Sequence, residues 1–192
     1  MLRQVKVEMS DSSHIVAAVA ELATAVGTLV VSATPNGISR VDFKHRMNPF
    51  VEKGMARLFE DADAGLRDEA QKWADIAVEQ IDEYFMLERD MFDVPLDGPH
   101  GDGFREHAQR LLAQIPYGNT ITYAELAEMA GSPDAVRAAG TACATNPLPL
   151  LLPCHRVVRT DGRMGAYLGG EAAKKHLLRM EAEGLVTPCN GS

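Results

Sequence analysis

Apolar and polar positions follow different rhythms along this chain, and each rhythm predicts an element. Residues 14–25 are rich in alanine and valine and favour helix by composition, yet their apolar stripe is too broad for a clear amphipathic helix. The same residues could equally extend the strand that follows. Residues 26–33 are β-branched, Pro35-Asn36-Gly37 is a turn signal, and residues 38–43 alternate with period two, which together predict a hairpin. Residues 66–87 set Trp73, Ile76, Ala77, Ile81, Tyr84 and Phe85 on one side of an amphipathic helix, and these aromatic rings read as core packing.

Residues 95–103, dense in Gly, Pro and Asp, are the sharpest break in composition and read as a linker. Beyond it the period returns to helical. A helix is expected over 104–114, ended by Pro116 and Gly118. A short helix over 123–129 follows, capped by Asn119 or Thr120 and stopped by Gly131-Ser132-Pro133. A third helix runs from 134 to about 144, so the pair reads as a helix-turn-helix. That third helix is built from Ala135, Ala138, Ala139, Gly140, Ala142, Cys143 and Ala144, and offers few long polar side chains to read base edges. Residues 184–192 read as a frayed tail in which Cys189 is incidental. The expected class is therefore α+β. Residues 1–97 form an N-terminal α/β supporting domain with a small antiparallel sheet; residues 98–192 form a mainly helical domain with the helix-turn-helix.

Composition adds limits. At 192 residues the chain can hold one large domain or two small ones. The longest apolar stretch, 15–31, is interrupted by Glu21 and Gly27, and the N-terminus lacks a secretory pattern, so neither a membrane nor export is expected. Cys143, Cys154 and Cys189 form no CxxC pair and no even framework, which suits reduced thiols in the cytoplasm. The net charge of −8 is unevenly spread. Residues 1–100 hold 10 basic and 18 acidic side chains, while 101–192 hold 9 of each. Within 137–180, seven basic residues (Arg137, Arg156, Arg159, Arg163, Lys174, Lys175, Arg179) face only Asp161 and Glu171. That local excess is a modest footprint for a polyanion, and any such binding should weaken strongly with salt.

The chemistry concentrates at Asn146-Pro147-Leu148-Pro149-Leu150-Leu151-Leu152-Pro153-Cys154-His155-Arg156. Pro153 biases Leu152 towards an extended conformation, so Cys154 is expected to end a buried strand-like segment. His155 and Arg156 follow the sulfur directly, and cationic or basic neighbours favour a thiolate. Cys-His adjacency taken alone is more often a buried small hydrophobe than a nucleophile.

The surrounding residues go further. Pro153-Cys154-His155-Arg156-Val157 resembles the active-site signature of the O6-alkylguanine-DNA alkyltransferases, the methylated-DNA–protein-cysteine methyltransferases. The resemblance extends to Ile115-Pro116-Tyr117-Gly118, Thr122-Tyr123-Ala124-Glu125-Leu126-Ala127, Arg137-Ala138-Ala139-Gly140, Asn146-Pro147, Gly162, Tyr167, Gly169-Gly170, Lys174, Leu177-Leu178 and Glu181. It covers residues 104 to about 184; the N-terminal half matches more loosely.

The resemblance implies a catalytic set of Cys154, His155, Glu181, Asn146, Tyr167 and Lys174. Cys154 would attack the alkyl carbon on O6, and His155 would act as base through a water. Glu181 would hold the imidazole and favour its cationic form, while Asn146 would hold the turn before the active-site segment. Tyr167 would donate to O6, with Lys174 easing the transfer. Arg137 would fill the gap left by an extruded nucleotide, and Tyr123 would press on the flanking phosphate. Thr122, Ala135 and Ala138 would also meet DNA, through the minor groove. Val157, Leu168, Gly169 and Pro149 would line the base pocket, with Gly165 and Gly170 letting the loop approach closely.

The implied partner is double-stranded DNA containing O6-alkylguanine, bound by a protein that is monomeric when free. Neither cofactor nor metal is implied, and the thioether product would end the protein's activity after one turnover. Three departures stand out: Ala108 and Gln109 replace a Val-Trp pair, Thr122 replaces a serine, and Ala166 and Leu168 flank Tyr167. Leu168 would narrow the pocket and favour methyl over benzyl adducts, or it would point away. Other readings are a non-catalytic lesion-binding relative, against which Cys154 stands, a helix-turn-helix regulator, which would need polar readers, and a cysteine hydrolase, for which no oxyanion site is evident.

Overall fold

The structure, a computed structural model of the chain, describes residues 16–47 and 64–184. The expectations for residues 14 and 15 and for 185–192, with Cys189, lie outside the described residues.

Three strands, β1 (Ala18–Thr24), β2 (Gly27–Thr34) and β3 (Gly37–Phe43), form an antiparallel sheet in the order β1-β2-β3. The alanine-rich segment is thus neither a helix nor an extension of the next strand, but a strand of its own folded back on β2. Thr24 makes that reversal: its hydroxyl donates to the Gly27 carbonyl at 2.7 Å and accepts from the Val26 amide at 3.2 Å. Helix propensity loses because β1 gains a complete ladder, Ala18 opposite Ala33 through Thr24 opposite Gly27. The middle strand is covered on both faces, so Leu29, Val30, Val31, Ser32, Ala33 and Thr34 are all buried.

Helix α1 (Ala64–Phe85) covers the sheet with Ala70, Ala74, Ala77, Ile81 and Tyr84, a stripe at helical spacing whose alanines let backbone approach backbone. Each large apolar side chain buried here, such as Leu29, Ile38 or Ile81, contributes roughly 1.5–3 kcal/mol. Trp73 packs as expected and donates its indole N–H to the Pro35 carbonyl at 3.1 Å.

The Gly/Pro-rich segment is tied down at its start. Ile38 donates to the Pro95 carbonyl and Asp97 donates to the Ile38 carbonyl, both at 2.8 Å, so residues 95–97 run alongside β3. Gly37 permits this approach, because a Cβ there would sit 2.3 Å from the Pro95 oxygen and its φ is +143°. A second tie joins the halves, with Val41 of β3 donating to the Pro147 carbonyl at 2.9 Å. One hydrophobic cluster runs from Leu29 and Tyr84 through Leu126 and Cys154 to Leu177.

Helix α2 (Phe104–Leu111) passes into a 3-10 turn, Leu112–Gln114. Its Gln109 is buried and donates to the Ala142 carbonyl at 2.9 Å, so an amide joins two helices where a tryptophan would have filled space. The helix-turn-helix follows as α3 (Tyr123–Met129) and α4 (Val136–Ala144). The cap of α3 is Thr122, not Asn119 or Thr120. Its hydroxyl accepts from the Glu125 amide at 3.1 Å, and the Glu125 carboxylate accepts from the Thr122 amide at 2.6 Å. Gly131, at φ +74°, closes α3: its amide donates to the Glu128 carbonyl, and the Ser132 amide donates to that of Ala127. The next helix begins at Val136, two residues later than expected, because Ala135 still donates to the Ser132 carbonyl in the turn.

The apolar run before Cys154 is not a strand. Asn146 curls it into a turn by donating to the Leu152 carbonyl at 2.7 Å and accepting from the Leu148 amide at 3.1 Å. Leu152 donates to the Leu148 carbonyl at 2.7 Å, and Leu150 has a positive φ of 74°. Pro147, Pro149 and Pro153 carry no N–H for a ladder, so a compact turn satisfies this backbone where a sheet could not. A 3-10 turn, Cys154–Arg156, comes next, then β5 (Val157–Val158), which pairs in parallel with β4 (Ile121–Thr122). Helix α5 (Glu171–Gly184) closes the described chain.

Candidate active site

The site is assembled around a buried carboxylate. Glu181, on α5, is fully shielded from solvent, and its Oε1 accepts from three side chains. These are the Tyr84 hydroxyl at 2.6 Å, the His155 Nε2 at 2.8 Å and the Arg156 Nη2 at 2.9 Å. Its Oε2 accepts from the Gly118 amide and the Arg156 Nε, both at 3.1 Å. Burial alone would push this carboxyl up, but the hydrogen bond from His155 and the pairing with Arg156 hold it down at about 2. Because Glu181 is ionised it can only accept, so His155 carries its proton on Nε2 and presents Nδ1 as an acceptor. That Nδ1 is buried and has no hydrogen-bond partner among the described residues.

Arg156 does not serve the sulfur. Its side chain turns towards Glu181, its Nη1 donates to the Ile115 carbonyl at 2.6 Å, and its guanidinium lies 5.6 Å from the Tyr117 ring centre. The expected help to the thiolate is therefore absent. Burial pushes the Cys154 thiol up to about 11, and an Asn146 hydrogen bond and the Lys174 charge only partly offset it. Burial also lowers His155 below its ordinary value, outweighing the hydrogen bond and charge of Glu181, which favour the cation, so the resting imidazole is neutral.

Tyr167 is buried beside the imidazole, with ring centres 6.2 Å apart, and its hydroxyl has no hydrogen-bond partner among the described residues. Burial, then the nearby Cys154 and Glu181, raises its pKa well above 10, which keeps it a donor. Phe43 of β3 also meets that ring edge-on, with centres 5.7 Å apart. Lys174 is fully buried and donates to the Val157 carbonyl at 2.6 Å; burial lowers its pKa. Two of the seven basic residues counted in the sequence, Arg156 and Lys174, are thus spent inside the fold, leaving a thinner positive surface.

A groove of about 360 Å³ opens on one face of the helix-turn-helix, lined by Tyr123, Arg137, Gly140, Arg159, Gly165 and Ala166 among others. Arg137 and Ala138 are exposed on α4, and Ala135 sits at its start. Tyr123 is half-buried, and burial pushes its hydroxyl up to about 12. Gly165 is needed beside it, since a Cβ there would lie 2.5 Å from the Tyr123 oxygen. Thr122 is engaged in the α3 cap. Four residues expected in the base pocket do not line this groove. Val157 is buried in β5, Pro149 is buried in the turn, Leu168 leans on the hydrophobic cluster, and Gly169 backs onto Phe43. Among the described residues no group of three or more His, Cys, Asp or Glu side chains could hold a metal ion.

Sequence reasoning missed two members of the site. Arg156 had a signal, being next to His155, but its direction was misjudged; Tyr84 had none, since its helical position matched a core residue.

Comparison with known proteins finds relatives of this chain and of its fold. A family model described as 6-O-methylguanine DNA methyltransferase, DNA binding domain, matches residues 103–183. A methylated-DNA–protein-cysteine methyltransferase of Methanosarcina barkeri is 34% identical over 160 residues, 83% of this chain and 94% of the relative. The crystal structure of Mycobacterium tuberculosis O6-methylguanine methyltransferase is similar with a TM-score of 0.72 at 29% identity, covering 90% of this chain and 95% of that one. A crystal structure of Mycobacterium tuberculosis OGT in complex with DNA gives 0.69 at 29% identity, covering 85% and 92%. With a relative of this identity matched along nearly its whole length, and a thiol, imidazole and carboxylate gathered at one place, the chain belongs to the methylated-DNA–protein-cysteine methyltransferase family.

Proposed function

We propose that this chain repairs DNA by moving the alkyl group from O6 of a guanine, methyl above all, onto the sulfur of Cys154, once per molecule. DNA binding and methyl transfer to a protein cysteine come with membership of the family; the guanine chemistry, the groove and the residue roles are our reading. The observation that carries it is a buried thiol followed by an imidazole whose tautomer is set by a buried carboxylate.

The energetics favour a concerted role for His155. A thiol held at about 11 costs about 5 kcal/mol to ionise at pH 7, so a thiolate standing ready would be scarce. A neutral imidazole whose Nδ1 has no partner among the described residues takes the proton, through a water, as the sulfur attacks. The new bond joins Sγ to the alkyl carbon, the carbon–O6 bond breaks, and its electron pair leaves on the guanine. Tyr167, whose hydroxyl has no described partner, supplies the proton there, and Lys174 eases that transfer. The thioether formed is inert, so the protein is consumed.

The target atom lies within the base stack, so the nucleotide must be turned out. Arg137 fills the gap and Tyr123 presses on the phosphate, and both line the groove. Minor-groove docking suits the outer face of α4, where Ala138 is exposed and a Cβ on Gly140 would meet nothing within 4 Å. The division into units 1–97 and 98–192, a free monomer and a cytoplasmic location complete the proposal. Among the described residues no helix is long and apolar enough to cross a membrane.

Mass spectrometry of the Cys154 peptide after exposure to duplex DNA bearing O6-methylguanine should show one added methyl group. Cys154→Ser should bind the same duplex and gain nothing. A methyl group on another side chain, or none, would overturn the reading.

A further inference from the structure

The hydroxyl of Tyr84 is the feature that this chemistry does not yet use. It is fully buried on α1, in the N-terminal half, and reaches a carboxylate 97 residues away at 2.6 Å. Core packing alone asks only for the ring, which meets Phe85 at 5.5 Å, Phe92 at 5.4 Å and Tyr117 at 6.0 Å. Phenylalanine would satisfy those contacts without the cost of burying a polar oxygen.

The oxygen that Tyr84 selects matters more. It is Oε1, the one that receives His155 Nε2 at 2.8 Å. Arg156 also donates to it, from Nη2 at 2.9 Å and from Nε at 3.1 Å, so four donor groups of three side chains share an atom with two lone pairs. Whatever Tyr84 draws from Oε1 is not available to the imidazole. Arg156 is anchored at its far end, where Nη1 donates to the Ile115 carbonyl, and its Nε is shared equally between Oε1 and Oε2 at 3.1 Å.

We infer that Tyr84 is a positioning residue for alkyl transfer: by competing for Glu181 Oε1 it limits how strongly the carboxylate backs His155, and so sets the pH at which that base becomes available. The inference rests on the proposed alkyl transfer and extends it to the N-terminal half. The other groups facing the pair are Arg156 and Cys154 on the 3-10 turn, Lys174 on α5, the Gly118 amide and Tyr117 before β4, and Tyr167 before α5. Of these elements α1 alone lies in the N-terminal half, and Phe43 of β3 adds only its ring.

The sign follows from the shared atom. Removing the Tyr84 hydroxyl leaves more of the Oε1 charge to the imidazole, which stabilises its protonated form. His155 then holds its proton to higher pH, and the base is lost sooner as pH falls. In Tyr84→Phe the acid limb of the transfer rate should move up by about half to one pH unit. Below both midpoints the rate should drop about three- to tenfold, while DNA affinity and the high-pH rate change little. Replacing Tyr84 by 3,5-difluorotyrosine, a stronger donor of nearly the same shape, should shift the limb the other way. It stays protonated because burial and Glu181 raise the phenol's pKa well above its ordinary value.

Two measurements on the full chain test this. One is the single-turnover rate of Cys154 alkylation by an O6-methylguanine duplex across pH. The other is the titration of His155 in the free protein by nitrogen-15 histidine NMR, assigned with His155→Asn. Opposite shifts in the two variants support the inference, and a structural role would not produce them. If both variants keep the wild-type midpoint, with or without a loss of thermal stability, Tyr84 only packs, and alkyl transfer stands without it. Should Tyr84→Phe fail to fold, the fluorinated protein still decides. If wild-type Cys154 is not alkylated at all, the functional reading falls and takes the inference with it.

Discussion

Arg156→Met offers the sharpest quantitative test of the buried network. The side chain keeps its length and loses its charge. It forfeits the bonds from Nε and Nη2 to Glu181 and from Nη1 to the Ile115 carbonyl. Glu181 would remain buried with Tyr84, His155 and Gly118 as donors but without a full counter-charge. Removing one partner of such a pair costs about 3–5 kcal/mol, a large share of a typical stability of about 5–15 kcal/mol. Urea unfolding followed by circular dichroism at pH 7 would measure the loss. The pH dependence supplies a second, independent number. Glu181 is depressed from 4.5 to about 2, so its contribution is complete above pH 4.5 and is lost as pH falls through 2. That interval corresponds to about 3 kcal/mol. In the variant the carboxyl is no longer held down by arginine, so protonating it costs the fold less. The His155 hydrogen bond remains and keeps part of that depression, so the gap between the two proteins should narrow between pH 4.5 and pH 2 by a share of that figure of about 3 kcal/mol. A loss under about 1 kcal/mol at pH 7, or a gap independent of pH, would refute the reasoning.

Other consequences are more local. Gly169→Ala would push a methyl group to within 2.5 Å of the Phe43 ring, which should cost about 1–3 kcal/mol by thermal unfolding and slow transfer by moving Tyr167. Gly140→Ala should stabilise α4 by about 1 kcal/mol, since the site is open and alanine suits a helix better. Gly140→Leu should stay folded yet bind duplex DNA at least about tenfold more weakly in an anisotropy titration, because its side chain would fill the groove beside Arg137. In the free protein Cys154 should react slowly with iodoacetamide at pH 7 and faster as pH rises towards about 11; rapid labelling at neutral pH would contradict its burial.

The sequence by itself determined whatever near neighbours control. Pro35-Asn36-Gly37 marked the β2–β3 turn, Gly131 closed α3, and the helical period of α1 was legible because each depends on residues within a turn or two. The Pro-Cys-His-Arg signature, with its flanking motifs, carried the family. Tertiary structure decided the rest. An alanine-rich segment became β1 because β2 offered it a ladder, and an apolar run became a turn because Asn146 claimed its backbone groups. Arg156 turned from the sulfur to Glu181, and Tyr84 reached that carboxylate across 97 residues. Burial then raised the thiol that adjacent charges alone would have lowered. Proton affinity depends on which groups share a dry interior, and that follows from packing between distant segments rather than from their order along the chain.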